Sequence, residues 1–245
     1  MAKLSLSNVS LDYPLYGAYD LSIKRRLLGR VLREASTMRT LRALDNITLE
    51  ATAGARIGLF GPNGSGKSTL LRLLAGVYPV SSGRLEISGS VMPLLGLNSG
   101  VNPDFTASDN ISLLLRIGGR RPTQALIDEI WAFTELEDRM RQLPLRMFSS
   151  GMQMRVLFAV ATVFPADILL LDEWLSVVDE NFSVKAEQRL LKLVSMASIV
   201  IIASHDQGLL RRTCTSIVRL EQGRLTSILP VDPNSAHPLG LRESA

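Results

Sequence analysis

Gly61-Pro62-Asn63-Gly64-Ser65-Gly66-Lys67-Ser68 is the stretch on which the reading of this chain turns. Before it, residues 55–60 read as a buried strand running into the loop, and behind it residues 68–77 read as a helix packed after it. G-x-x-x-x-G-K-S between a strand and a helix is the pattern of a loop that cradles phosphates. The glycines allow backbone N–H groups to curl around β- and γ-phosphates, and the helix start adds its positive dipole end. Lys67 is placed to neutralise phosphate charge, and the Ser68 hydroxyl to ligate Mg2+. Contact with ATP is therefore expected from Gly61, Pro62, Asn63, Gly64, Ser65, Gly66, Lys67, Ser68 and Thr69. A mere glycine-rich turn is the bland alternative, and the flanking strand and helix count against it.

Outward from the loop, Ile168-Leu169-Leu170-Leu171-Asp172-Glu173 reads as an apolar strand delivering two acids to its C-terminal end. Asp172 is expected to hold Mg2+ through water, and Glu173 to orient or deprotonate the attacking water. Alone, the pair reads equally well as surface acids closing a strand; the phosphate loop tips the balance. His205 follows the apolar run 199–204, where a donor to the γ-phosphate would be placed, whereas the second histidine, His237, lies close to the last residue.

Strands and helices alternate over the rest of the chain: strands at 168–172, 199–204 and 216–220, helices at 182–196 and 207–213, and a turn at Gln222-Gly223. That order implies an α/β fold with a mostly parallel sheet covered on both faces. Residues 104–165 change character, with helical periodicity over 109–118, 124–136 and 150–164, and suggest a helical subdomain inserted into the core. Residues 3–13 and 43–51 read as strands, and 84–97 as a further strand pair. The expected division is a domain over 1–229, containing an insertion at 14–42 and the helical subdomain at about 104–165, followed by a loose tail at 230–245.

Bulk properties narrow the function classes. With 46% apolar and 20% charged residues, the 245-residue chain has the balance of a folded globular protein. No apolar stretch follows the first residues and no run approaches the roughly 18 residues of a membrane span, so a soluble protein without a signal peptide is expected. The single cysteine, Cys214, fits a reducing compartment and reads as a small interior residue rather than a nucleophile. Residues 22–42 hold seven basic side chains against Glu34 alone, a surplus of six where the whole chain has four. Nucleic-acid-binding enzymes more often spread basic surface over a wide face, so no nucleic-acid partner is expected. Leu27, Leu28, Val31, Leu32, Ala35 and Met38 in this segment recur at helical spacing. An amphipathic helix against a membrane surface is one reading of it, a solvated basic face the other.

Phe148-Ser149-Ser150-Gly151-Met152, opening a helix between the phosphate loop and the acid-bearing strand, resembles the Leu-Ser-Gly-Gly-Gln signature of ABC transporter ATP-binding subunits. The resemblance spans roughly residues 3–227 and implies the ABC type of phosphate-loop fold: a mostly parallel core sheet, an antiparallel β lobe and an inserted helical subdomain. It also implies a homodimer in which Ser149, Ser150, Gly151 and Met152 of one subunit contact the ATP held by the other. Asp179, in Ser176-Val177-Val178-Asp179, corresponds to the subunit-contact loop, and Tyr13 to the aromatic that stacks on adenine, with Tyr16 and Tyr19 as competitors. The family's glutamine near residues 93–98 is missing; Asn98 is the nearest substitute, with a shorter side chain. Asn102-Pro103-Asp104-Phe105-Thr106, Asp109-Asn110-Ile111 and Asp172-Glu173-Trp174-Leu175-Ser176 are similar to the polysaccharide exporters that carry O-antigen, capsule or teichoic acid chains. That similarity implies Mg2+-dependent ATP hydrolysis, an integral-membrane permease partner and a place at the cytoplasmic face of a bacterial membrane. The carbohydrate-binding domain that often follows in O-antigen exporters is not expected within residues 1–245.

Overall fold

The computed structural model describes residues 1–15, 40–95, 100–172 and 180–231. The first strands are β1 (Lys3–Pro14), β2 (Thr40–Thr52) and β3 (Arg56–Phe60), followed by helix α1 (Lys67–Leu74) and strands β4 (Ser82–Ser88) and β5 (Val91–Leu94). Helices α2 (Ala107–Ile117), α3 (Gln124–Thr134) and α4 (Ser150–Ala161) come next, with short 3-10 turns at Asp138–Met140 and Leu145–Met147. The chain then runs through β6 (Ile168–Asp172), α5 (Glu180–Met196), β7 (Ile199–Ala203), α6 (Gln207–Thr213), β8 (Ser216–Glu221) and β9 (Arg224–Pro230).

Six strands form the central sheet in the order β5-β6-β7-β3-β8-β9, parallel except for the β8–β9 hairpin at one edge. Successive residues of β6 and β7 serve opposite faces. Ile168, Leu170, Ile199 and Ile201 pack with the leucines of α1, while Leu169, Leu171, Val200 and Ile202 pack with Leu190 and Leu210 of α5 and α6. Burial on both faces is why these strands are apolar throughout rather than alternating. Cys214 belongs to the second of these cores; it is fully buried, which pushes its thiol up to about 11.

A separate antiparallel sheet, β2-β1-β4, lies over the α1 face. The apolar phase of β1 switches between Leu6 and Val9 because the pairing to β2 shifts register there and Asn8 turns to positive φ, the effect of a bulge. The strand pair expected over 84–97 is corrected: β4 joins β1 and β5 joins β6, in different sheets. Their register is set by chain segments distant in sequence, which local periodicity does not reveal.

The helical subdomain is present as α2, α3 and α4 around a core of Ile111, Leu115, Ile130, Trp131, Val156 and Val160. Phe158, on another side of α4, packs with Phe182 of α5, and the Phe133 ring lies 6.2 Å from Phe158 and 5.4 Å from Phe182. Burial on several sides explains the unbroken apolar run 156–160. Among the described residues no helix is long and apolar enough to cross a membrane. The helix expected in the basic insertion, with Tyr16 and Tyr19, falls within 16–39 and lies outside the described residues, as does the tail from 232 onward.

Candidate nucleotide-binding site

The sheet's carboxyl edge assembles the site. Leu59 of β3 pairs with Ala203 of β7, and Ala203 pairs with Asp172 of β6, so three neighbouring strands end in one row. The phosphate loop leaves β3, Asp172 closes β6 and His205 follows β7, converging at the strand ends where open α/β sheets bind ligands. A cavity of about 760 Å3 opens there, lined by Asn63, Gly64, Ser65, Gly66, Lys67, Ser68, Thr69, Asp172 and His205. Gly61 and Pro62 stand behind it as the carbonyls that Lys67 Nζ holds, at 2.7 and 3.2 Å. The lysine is only 6% exposed, so its charge is kept inside the loop by these two bonds.

Two features of the loop suit a phosphate guest. Gly64 and Gly66 both adopt positive φ, and a Cβ on Gly64 would meet nothing within 4 Å, leaving its backbone open to the cavity. Ser65 Oγ is buried without a hydrogen-bond partner, an orphaned polar atom within the cradle.

The rest of the lining was only partly legible in sequence. Tyr13, at the end of β1, does line the cavity; its ring packs edge-on against Tyr78 at 5.2 Å and its hydroxyl donates to Thr69 Oγ1 at 3.4 Å. Burial raises the Tyr13 phenol above its ordinary range. Leu41, Arg42, Ala43, Arg72, Gln222 and Gly223 complete the lining. Arg42, counted above with the basic insertion, is in fact the start of β2 and is paired, with Asp12 at 2.9 Å and Asp45 at 3.2 Å. Arg224 reaches Asp45 at 2.6 Å, and the two arginines, Arg224 foremost, hold that carboxyl below the usual range. The turn at Gln222-Gly223 is a brace: the Gly223 N–H donates to the Ser65 carbonyl at 3.0 Å, and its carbonyl accepts from the Asp45 N–H at 2.8 Å. A glutamine-glycine pair between two apolar runs was the available signal for this turn.

Ser149 caps α4, accepting from the Met152 N–H at 3.3 Å, and is exposed. Neither it nor Ser150, Gly151 or Met152 lines the cavity of the same chain. Glu173, Asp179 and Asn98 lie outside the described residues.

The family model described as ABC transporter matches residues 44–176. The chain is 41% identical over 230 residues to the O-antigen export system ATP-binding protein RfbE of Yersinia enterocolitica, covering 91% of this chain and 96% of that one. It is 33% identical to the teichoic acids export ATP-binding protein TagH of Staphylococcus epidermidis, covering 91% of this chain and 83% of the relative. A solved dimeric ATP-binding cassette in a post-hydrolysis state, bound to ADP and phosphate, superposes with a TM-score of 0.68 at 23% identity, covering 94% and 99% of the two chains. The chain belongs to the ABC transporter family and is an ATPase of the cassette type.

Proposed function

We propose that this chain is the ATP-hydrolysing subunit of an exporter for a lipid-linked polysaccharide, working as a homodimer beneath a membrane-spanning permease at the cytoplasmic face. The observation that carries the cargo is the 41% identity, across nearly the full length of both chains, to an O-antigen export ATP-binding protein. The mechanism rests on geometry: the phosphate loop, Asp172 and His205 share one cavity, while the helix capped by Ser149 presents its N-terminus elsewhere.

In this reading the loop N–H groups and Lys67 hold the β- and γ-phosphates. Ser68 and Asp172 would hold Mg2+, since one hydroxyl and one carboxylate suit an ion that takes its remaining ligands from phosphate and water. When bound, the ion neutralises charge on the β- and γ-phosphate oxygens. His205 donates to the γ-phosphate, and Glu173 takes a proton from the attacking water. Tyr13 and the adjoining Leu41 offer the base an aromatic and an apolar wall. Ser149, Ser150, Gly151 and Met152 complete the site of a second copy, their helix N-terminus facing its γ-phosphate. Closure on ATP and reopening after hydrolysis would move the permease.

Two substitutions separate the roles. Glu173→Gln keeps size but accepts no proton; it should cut turnover about 10²–10⁴-fold and trap an ATP-bound dimer visible by light scattering. Lys67→Ala should lose ATP binding and form no dimer. Wild-type turnover in Glu173→Gln refutes its role. For the cargo, a strain lacking the gene should retain lipid-linked glycan inside and lose the polymer from its surface; normal surface polysaccharide refutes export of glycan.

A further inference from the structure

The helix that begins at Ser149 does not set its own position. The segment leading into it, Leu145–Phe148, is tied to the loop that precedes α2 by backbone bonds from Leu145 N–H to the Phe105 carbonyl and from Arg146 N–H to the Pro103 carbonyl, both 2.9 Å. Reciprocal bonds run from Ala107 N–H to the Leu143 carbonyl and from Ser108 N–H to the Arg141 carbonyl, each 3.1 Å. An ion pair between Arg146 and Asp104 closes the outer side. The two loops are therefore tied into one piece.

That piece is organised by one buried side chain. Asn110, fully buried on α2, shares its Nδ2 among the carbonyls of Asn102 at 2.9 Å, Thr106 at 3.0 Å and Phe105 at 3.2 Å. Its Oδ1 accepts from the Asn102 N–H at 2.8 Å. Both N–H groups and the Oδ1 acceptor of Asn110 are thus engaged in shaping the 102–106 loop. A second amide acts from the other side: Gln153 of α4 donates to the carbonyls of Leu145 at 3.0 Å and Phe148 at 3.2 Å. Neither residue lines the nucleotide cavity.

We propose that Asn110, seconded by Gln153, is a positioning residue for ATP hydrolysis that acts in trans: it aims the Ser149–Met152 helix start of one copy at the nucleotide held by another. The inference rests on the two-copy reading above and deepens it. Asn110 touches no nucleotide; it fixes the Asn102–Thr106 loop, the loop fixes Leu145–Phe148, and those residues fix where the α4 N–H groups point. A hydrogen-bonded frame is suited to this because anion binding at a helix start depends on direction, and misalignment of the N–H groups forfeits much of each bond.

The test uses full-length chains in the Glu173→Gln background, with two affinity tags so that ATP-dependent mixed dimers are captured. A fluorescent ATP analogue measures binding to each chain alone. Asn110→Ala and Gln153→Met should bind the analogue within twofold of the parent, yet need at least tenfold more ATP for half-maximal dimer. The arrangement of substitutions is the deciding readout. A Lys67→Ala copy mixed with an Asn110→Ala copy keeps one intact composite site and should still associate with ATP. Placing both substitutions in one copy, against a parent copy, leaves no intact site and should abolish association. A general folding defect would weaken both arrangements alike, and that result, or parallel loss of analogue binding, overturns the proposal. Gln153→Met carries the same comparison should Asn110→Ala fail to fold. Ser149→Arg run in place of Asn110→Ala separates the layers. If it shows the split and neither amide variant does, the positioning role falls and the two-copy reading stands. If Ser149→Arg shows no split, the two-copy reading falls and the inference with it.

Discussion

Replacing Gly223 by alanine tests whether the β8–β9 turn braces the phosphate loop, and Gly54 supplies the control. Both glycines sit at positive φ, +76° and +93°, so alanine at either should cost about 1–2 kcal/mol for left-handed backbone alone. Their surroundings differ. A Cβ on Gly54 would meet nothing within 4 Å, whereas on Gly223 it would stand 2.5 Å from the Ala43 carbonyl oxygen, a backbone atom with little room to yield. Overpacking of this kind adds about 1–3 kcal/mol. Gly54→Ala should therefore destabilise by about 1–2 kcal/mol and Gly223→Ala by about 2–5 kcal/mol in urea denaturation. The nucleotide site should feel only the second. Moving Gly223 off the Ser65 carbonyl loosens one hydrogen bond of the loop, worth about 0.5–1.5 kcal/mol, which corresponds to a roughly two- to tenfold loss of ATP affinity. Titration with a fluorescent ATP analogue reads this directly. Equal destabilisation by the two variants, or unchanged ATP affinity in Gly223→Ala, refutes the brace.

Tyr13→Ala should weaken analogue binding several-fold while Tyr13→Phe stays near the parent, because the ring rather than its bond to Thr69 forms the wall; equal loss in both would assign the effect to the hydroxyl. Cys214 makes stability fall at alkaline pH: the unfolded thiol ionises near 9 and the folded one at about 11, so the protonated folded form is favoured below pH 9 and this advantage is lost as pH rises from 9 to 11. The full effect is of order 2–3 kcal/mol, and Cys214→Ala should flatten that segment of a pH–stability curve; an unaltered slope would exclude the thiol as its source.

How far the sequence led depended on whether the relevant force was local. β6 and β7 were legible to within a residue because burial on both faces imposes an apolar run, and α6 because Asp206 caps its start, accepting from the Leu209 N–H. The phosphate loop was legible because its chemistry fixes residue types at fixed spacing. β9 was not: it is an edge strand whose Arg224, Thr226 and Ile228 face solvent, so no apolar pattern announced it. The same failure kept the Gly223 brace and the Arg224–Asp45 pair out of the sequence reading, although the turn itself was expected. Arg42 was misplaced for another reason. A count of charges treats every arginine as free, while Asp12 and Asp45, distant or close in sequence, are brought beside it only by the β1–β2 pairing.

The position of β3 in the sheet also governs when during synthesis this protein acquires its activity. Its two hydrogen-bonded neighbours, β7 and β8, are both made long afterwards, and Arg56 meets Thr215 across 159 positions. At elongation rates of about 5–20 residues per second, the strand carrying the phosphate loop waits on the order of 10–30 s for the first residues that flank and brace it. Until then both hydrogen-bonding edges of β3 lack their partners, and unpaired strand edges in a nascent chain are prone to aggregation. Completion of the cradle is thereby deferred until translation has passed the β8–β9 hairpin, whose Gly223 donates to the Ser65 carbonyl.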